Sequence, residues 1–143
     1  MRPANFQIES STYLQQDGRD FDLHSDYDFV AFSYSVADRG VELTGRRSAG
    51  DWVRAEMPAG LMLSCRGVTH LSAAGRDPKM PFTEDDCLSD LSFAVPDGSF
   101  ERSFAVSSAA EAFDPSWHWL FSFMSGFTLR VAGETAHLSA PEA

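Results

Sequence analysis

Cysteine is scarce in this chain of 143 residues: Cys65 and Cys87 stand alone, without the close pairing of a zinc knuckle or a dithiol redox motif. Two reduced thiols are expected, Cys65 within an alternating strand and Cys87 beside an acidic cluster. Basic residues are few as well. Eleven of them face twenty-one acidic residues, and the net charge of -10 repels phosphate backbones and anionic lipid. Neither nucleic acid nor a membrane surface is therefore an expected partner. Apolar runs extend only a few residues, far short of the ~20 that span a bilayer. Met1-Arg2-Pro3-Ala4-Asn5 leads into polar-alternating sequence without the apolar stretch of a signal peptide. A reduced, cytoplasmic location is the expectation.

Catalytic signatures are missing too. Gly40, Gly45 and Gly50 are spaced as turns and bends between strands, unlike a phosphate-binding loop. The serines lie in alternating segments with no nucleophile elbow. His24, His70, His118 and His137 are far apart, and no two have the spacing of a zinc motif, although His70 and His118 lie beside core positions. Cys65 with His70 is the one thiol and imidazole pair to consider, and nothing near it lowers a thiol pKa. No catalytic residue, metal or cofactor is expected.

What the chain has in quantity is β-sequence. Twelve Phe, three Trp and three Tyr concentrate in segments of period-two alternation. A chain of this size buries roughly 70% of the surface it exposes when unfolded, which suffices for a core without staples. Gln16-Asp17-Gly18 separates Phe6–Leu14 from Phe21–Leu23. Asp38-Arg39-Gly40 separates Tyr27–Tyr34 from Val41–Thr44, a hairpin with Val41 and Leu43 facing the core and Glu42 and Thr44 facing water. Pro96-Asp97-Gly98 should join Leu91–Val95 to Phe100–Val106, because Pro presets φ, Asp bonds its own backbone and Gly accepts positive φ. Leu61–Arg66, a bulge at Gly67 and Val68–Leu71 read as one bent strand. Apolar bulk on both faces of Trp117–Met124 marks a central strand, followed by a turn at Ser125-Gly126.

Helix is expected only at Ser107–Phe113, ended by Asp114-Pro115, and in the segment Arg76–Leu88. The expected fold is all-β: an antiparallel sandwich or flattened barrel of roughly eight to eleven strands with one or two short helices, forming a single β-rich domain over residues 1–143.

The segment Arg76–Leu88 fits no strand pattern and gathers four carboxylates and two prolines in thirteen residues. Asp77, Glu84, Asp85 and Asp86 offer hard oxygen ligands, but three consecutive acids cannot all point inward from one regular element, so no metal is expected. The letters fit a helix start: Thr83 as N-cap, Glu84-Asp85-Asp86 in the first turn, Thr83 and Asp86 as a capping box, and Phe82 against Cys87 as a hydrophobic staple. Asp77, outside the cap, and Glu84 and Asp85, facing solvent, then remain as contacts for a basic partner. A second candidate patch is Trp52, in the polar stretch Ser48–Arg54, with Arg46 and Arg47 before it; such a loop Trp anchors a partner or pins its own loop.

The segment Leu23-His24-Ser25-Asp26-Tyr27-Asp28, the alternating hairpin after it, Leu61–Val68 with its Gly-Val step and the Leu88–Val95 strand together resemble small bacterial β-rich proteins of uncharacterised function. Some of those are grouped with immunity proteins of polymorphic toxin systems. The resemblance covers residues 21–95, implies a non-catalytic protein binder and transfers no binding residue. The expected function is a non-enzymatic, cytoplasmic, immunity-like domain that binds another protein, of basic character, through acidic loops and an aromatic anchor. The alternative is a small-ligand-binding β-barrel, catalytic or not, with an aromatic-lined pocket around Trp117, Trp119, Phe121 and Phe123.

Overall fold

The computed structural model describes residues 1–96, 102–103 and 114–141. Among them, 52% lie in strands and no α-helix occurs, so the chain is all-β with mainly antiparallel sheets. Thirteen strands follow one another: β1 (Arg2–Pro3), β2 (Gln7–Ile8), β3 (Tyr13–Gln16), β4 (Arg19–Asp22), β5 (Tyr27–Ser35), β6 (Gly40–Arg47) and β7 (Gly60–Arg66). Then come β8 (His70–Ala74), β9 (Leu88–Ala94), β10 (Arg102–Ser103), β11 (His118–Phe123), β12 (Thr128–Ala132) and β13 (Thr135–Ser139). The count exceeds the expected eight to eleven because two-residue pairings such as β1 and β2 are too short to leave a periodic trace in the sequence.

One five-stranded sheet has the order β1-β13-β7-β6-β5, a second β10-β9-β11-β12-β8, and a three-stranded sheet β2-β3-β4. Each ends in an edge strand, so none closes into a barrel, and the flattened-barrel alternative is set aside. All strand neighbours are antiparallel except β1 and β13, which run parallel. No helix among the described residues is long and apolar enough to cross a membrane.

The hairpins form where the turn chemistry asks for them. Asp17 and Gly18 both take positive φ, 52° and 77°, the requirement of a two-residue turn that matches strand twist, and Gln16 pairs with Arg19 across it. In the β5–β6 hairpin Val41 and Leu43 are buried and Glu42 is exposed, as their alternation requires. β11 lies at the centre of its sheet with Trp119, Leu120 and Phe121 all at 0% exposure, which explains apolar residues on both faces. β9 and β10 pair antiparallel, although Asp97, Gly98 and the Ser107–Phe113 helix expectation lie outside the described residues.

Gly67 behaves differently from the expected bulge. With φ of 63° it turns the chain out of the first sheet, so β7 and β8 belong to different sheets. The return crossing, between β12 and β13, passes beside it. The two corners are tied by Thr69 N–H to Ala132 O (2.9 Å) and Glu134 N–H to Arg66 O (3.0 Å). A Cβ on Gly133 would lie 3.0 Å from the backbone carbonyl of Arg66, so the close approach favours glycine there, while Gly67 is favoured by its left-handed φ.

The inner faces of all three sheets feed one hydrophobic cluster, with Ile8, Leu14 and Phe21 from the small sheet joining Leu43, Leu63, Phe93 and Trp119. Phe29 of β5 meets Phe123 of β11 edge to face at 5.8 Å, and Phe32 stacks on Phe127 at 5.7 Å. These contacts hold β5 against the second sheet and define the flank where the candidate site lies.

Candidate functional site

β5 contains an irregularity at Val30: Phe29 pairs with Gly45 and Ala31 with Thr44, leaving Val30 unmatched. The bulge bends the strand, and beyond it Phe32 and Tyr34, opposite the buried Leu43 and Val41, are only partly covered. Val30, Phe32 and Tyr34 are 45–51% exposed and Val36, just past the strand, 75%. Below this flank lies a groove of about 510 Å³ with Phe29, Val30, Phe32, Leu43, Phe123, Phe127 and Leu129 for walls and Arg76, Phe82, Asp85 and Asp86 for a lip. Its character is aromatic inside and charged at the mouth.

The lip is the segment Arg76–Leu88, and Arg76 organises it. Its Nε donates to Asp85 Oδ1 at 2.8 Å, its Nη2 donates to the carbonyls of Met80 and Pro81, and its guanidinium lies 4.7 Å from the centre of the exposed Phe82 ring. Asp77 N–H donates to Ser125 O, Ser125 N–H to Glu84 O, Met124 N–H to Cys87 O and Phe29 N–H to Asp86 O, each at 2.8–3.1 Å. The loop is thereby fastened to both five-stranded sheets with a single short turn as its one regular element. The hydrogen bond from Arg76 holds the Asp85 carboxyl below the usual carboxylate range, with Ser125 helping.

The expected helix start is corrected by this arrangement. Only a single 3-10 turn forms, Phe82–Glu84, capped by Pro81 and without a side-chain cap bond. Thr83 is no N-cap, and Phe82, 81% exposed, rests on Arg76 instead of stapling to Cys87. The reason is space: Cys87 O is already engaged by Met124 N–H, just past β11, and β9 begins at Leu88, so no room is left for a helical turn.

Replacing Arg76 with alanine should release this lip. Amide exchange across residues 77–86 is expected to quicken about tenfold or more, and an NMR titration should show the Asp85 carboxyl moving up toward the ordinary carboxylate range. Unchanged exchange and an unmoved Asp85 would show that the loop holds itself.

The second candidate patch is tied inward. Arg47 Nη1 donates to Ala55 O (2.9 Å) and Met57 O (2.8 Å), and the Trp52 indole N–H donates to Ser25 O at 2.9 Å. Trp52 is 66% exposed but its ring lies against Gly50, where a Cβ would come within 2.3 Å of it. Arg46 is exposed on β6, opposite Asp28 of β5. Of the two sequence patches, Asp85 lines the groove, while Asp77 and Glu84 shape its lip through backbone bonds. Arg46, Arg47 and Trp52 are not among its lining residues. Asp28 connects the two regions: burial first, then the charge of Asp86, raises its pKa, and Arg46 opposes the rise.

Sequence reasoning missed Phe29, Val30, Phe32 and Phe127. The signal was the unbroken run Phe29-Val30-Ala31-Phe32, which violates alternation where the bulge occurs.

No family model matches the chain, and no curated protein or solved structure matches it significantly.

Neither cysteine and none of the four histidines lines the groove. Cys87 Sγ lies 3.5 Å from His24 Nδ1, a geometry that suggests a catalytic dyad. However, Nδ1 is 2.7 Å from Leu88 O, and a carbonyl only accepts, so that nitrogen carries its own proton and takes none from the thiol. Burial, then the charges of Glu84, Asp86, Asp28 and Asp22, also pushes the Cys87 thiol up. Cys65 is buried, and burial raises its thiol to about 12. The His70 and His118 rings lie 4.8 Å apart, with Arg130 Nε donating to His118 Nδ1 at 2.8 Å. Among the described residues no group of three or more His, Cys, Asp or Glu is placed to hold a metal. The aromatic strand expected to line a ligand pocket is packed instead: Trp119 and Phe121 are fully buried, Trp117 stacks on Phe93, and only Phe123 reaches the groove.

Proposed function

We propose that the chain is a non-enzymatic, cytoplasmic protein-binding domain that receives an extended segment of its partner along the outer edge of β5. The observation that carries this reading is the edge itself. β5 is nine residues long, has β6 as its one strand neighbour among the described residues, and presents Val30, Phe32 and Tyr34 to solvent. Sheet edges are normally kept short, charged or covered because their free backbone groups recruit other chains. A long apolar edge is the surface that strand addition uses: backbone bonds supply affinity and alternate side chains specificity.

The backbone alternation supports the same surface. Arg47 N–H donates to Ala59 O on the β7 side, so along β6 the residues two apart from Arg47 face β7 and those between face β5. Past the bulge, Ala31 and Ser33 accordingly bond to β6, while the N–H and C=O of Phe32 and Tyr34 point to the open edge. In this proposal the two five-stranded sheets are the layers of a sandwich, and β5 is its binding flank. Both cysteines are free, as a reducing cytoplasm would keep them. The resemblance to immunity-type proteins points to a binder of the same kind.

A photo-crosslinking residue at position 34 tests the proposal in extracts of the native host. It is expected to capture a partner, and one at the exposed Glu134 is expected to capture none. In parallel, Tyr34→Pro removes an edge-facing N–H while leaving the β6 ladder paired, and should weaken retention of that partner at least tenfold. Equal capture from both positions, or full retention by a folded Tyr34→Pro variant, would overturn it.

A further inference from the structure

We infer that the segment received by β5 is cationic as well as apolar: an extended stretch that places one apolar side chain in the groove between Phe32 and Phe82 and a lysine or arginine on Asp86 and Asp28. The inference rests on the proposal that β5 is the docking edge and adds the chemistry of the occupant. Three observations lead to it.

The groove is continuous with the edge. Phe32 belongs both to the free side of β5 and to the wall of the 510 Å³ groove, so a strand added along β5 projects every second side chain toward that space. Its aromatic walls exclude a charged tip from the interior and favour an apolar one.

The mouth is negatively charged and unevenly neutralised. Asp85 has Arg76 at 2.8 Å, whereas Asp86, also a lining residue, is in no ion pair within 4.0 Å among the described residues. Asp28, whose ionisation burial disfavours first, stands close enough to Asp86 for that charge to add to the effect, with Arg46 on the adjacent strand opposing it. The backbone of Asp86 is bonded to Phe29 N–H, which pins this pair of carboxylates at the start of the open edge. A cation brought by the occupant relieves the repulsion between them.

The charge of the whole molecule selects among occupants. A second copy would bring another net charge of -10 to an acidic mouth, and an acidic segment would meet the same repulsion. A basic partner is attracted at long range and held at short range by the same groups.

The probes are three soluble ten-residue peptides: alternating lysine and valine, alternating glutamate and valine, and the lysine peptide N-methylated at every residue, which cannot complete a strand ladder from either edge. Binding is read from the amide signals of Phe32 and Tyr34 in NMR titrations of the full chain. The lysine peptide is expected to bind at least tenfold more tightly than the glutamate peptide at low salt, and the N-methylated analogue to leave those amides unmoved. The preference should shrink to under threefold in Asp28→Asn/Asp86→Asn, and it should also decline as salt is raised in the unaltered protein, a readout independent of how well that variant folds.

Equal affinity for the lysine and glutamate peptides at Phe32 and Tyr34 would overturn the cationic occupant while leaving β5 as a docking edge. A preference that survives both high salt and the double substitution would do the same. If neither peptide moves those amides, or the N-methylated analogue binds as well as its parent, the docking edge itself fails. Movement of those amides with protein concentration alone, without peptide, would make a second copy the occupant and overturn the inference.

Discussion

Trp119→Ala is expected to lower the unfolding free energy by about 3–5 kcal/mol, the usual cost of emptying a buried aromatic site. Its ring has no solvent exposure and meets Phe6 at 6.2 Å and Phe93 at 5.6 Å, both edge to face, so truncation removes contacts with the neighbouring strand β9 and with the segment between β1 and β2 at once. The indole N–H also donates to Met1 O at 2.9 Å, and its loss strands that carbonyl in the interior. Urea unfolding followed by fluorescence and circular dichroism measures the effect, with Trp52→Ala as comparator. Trp52 is largely exposed and bonded through one N–H, and its removal should cost no more than about 1 kcal/mol. Similar losses for the two substitutions would mean that the core is not centred on β11.

Acidification should destabilise the fold through His118. Burial first, then the charge of Arg130 and of His70, lowers its pKa from 6.5 to about 4. The Arg130 N–H donated to Nδ1 has the same meaning in geometry, since it occupies the lone pair a proton would take. Between pH 6.5 and about 4 the unfolded chain therefore binds more protons at this residue than the folded one. Its contribution is intact above 6.5 and is lost as pH falls toward 4. Undiminished, such a depression would amount to ~3.4 kcal/mol, and partial solvation of the ring reduces the expectation to about 1–2 kcal/mol. Asp26 and Asp28 act in the opposite sense. Their pKa values are raised mainly by burial, so their protonation adds stability as pH falls through a range above the ordinary carboxylate value. His118→Asn isolates the histidine: its amide oxygen keeps an acceptor for Arg130 but does not titrate. The variant should show a flatter decline between pH 6.5 and 4, and a parallel decline would assign the loss to other groups.

The candidate site was only half legible in the sequence. Acidity and a loop rich in carboxylates pointed to a basic partner, and Asp85 does line the groove. The groove was not foreseen, because its walls come from residues 29–32, 43 and 123–129 and its lip from 76–86. No local pattern links those stretches. Arg47 and Trp52 illustrate the converse. Their composition suggested an anchor patch, yet the guanidinium and indole hydrogens are directed to backbone carbonyls of residues 55, 57 and 25.

Local reasoning succeeded where two adjacent segments settle the outcome between themselves. Asp17-Gly18 requires positive φ at both positions and produces a tight hairpin, and Val41 and Leu43 alternate with Glu42 whatever lies across the sheet. Trp117–Met124 declared a central strand because water is excluded from both faces of its middle, Trp119–Phe123. Local reasoning failed at Gly67 and in Arg76–Leu88. A left-handed glycine looks the same in a bulge as in a corner between sheets, and an acid-rich run after Thr83 looks the same whether or not a helix has room to follow.

The amino-acid sequence by itself determined that this protein is built of antiparallel β-structure, strongly acidic and rich in buried aromatic residues, because alternation, turn residues and net charge are properties of neighbouring letters. Only the tertiary structure decided that β5 ends its sheet among the described residues, that a bulge at Val30 leaves Phe32 on the wall of a groove with Tyr34 exposed beyond it, and that Arg76 locks an irregular loop over that groove. Those outcomes depend on which strand finds no further neighbour and on contacts between residues up to a hundred positions apart, and no rule of adjacency contains them.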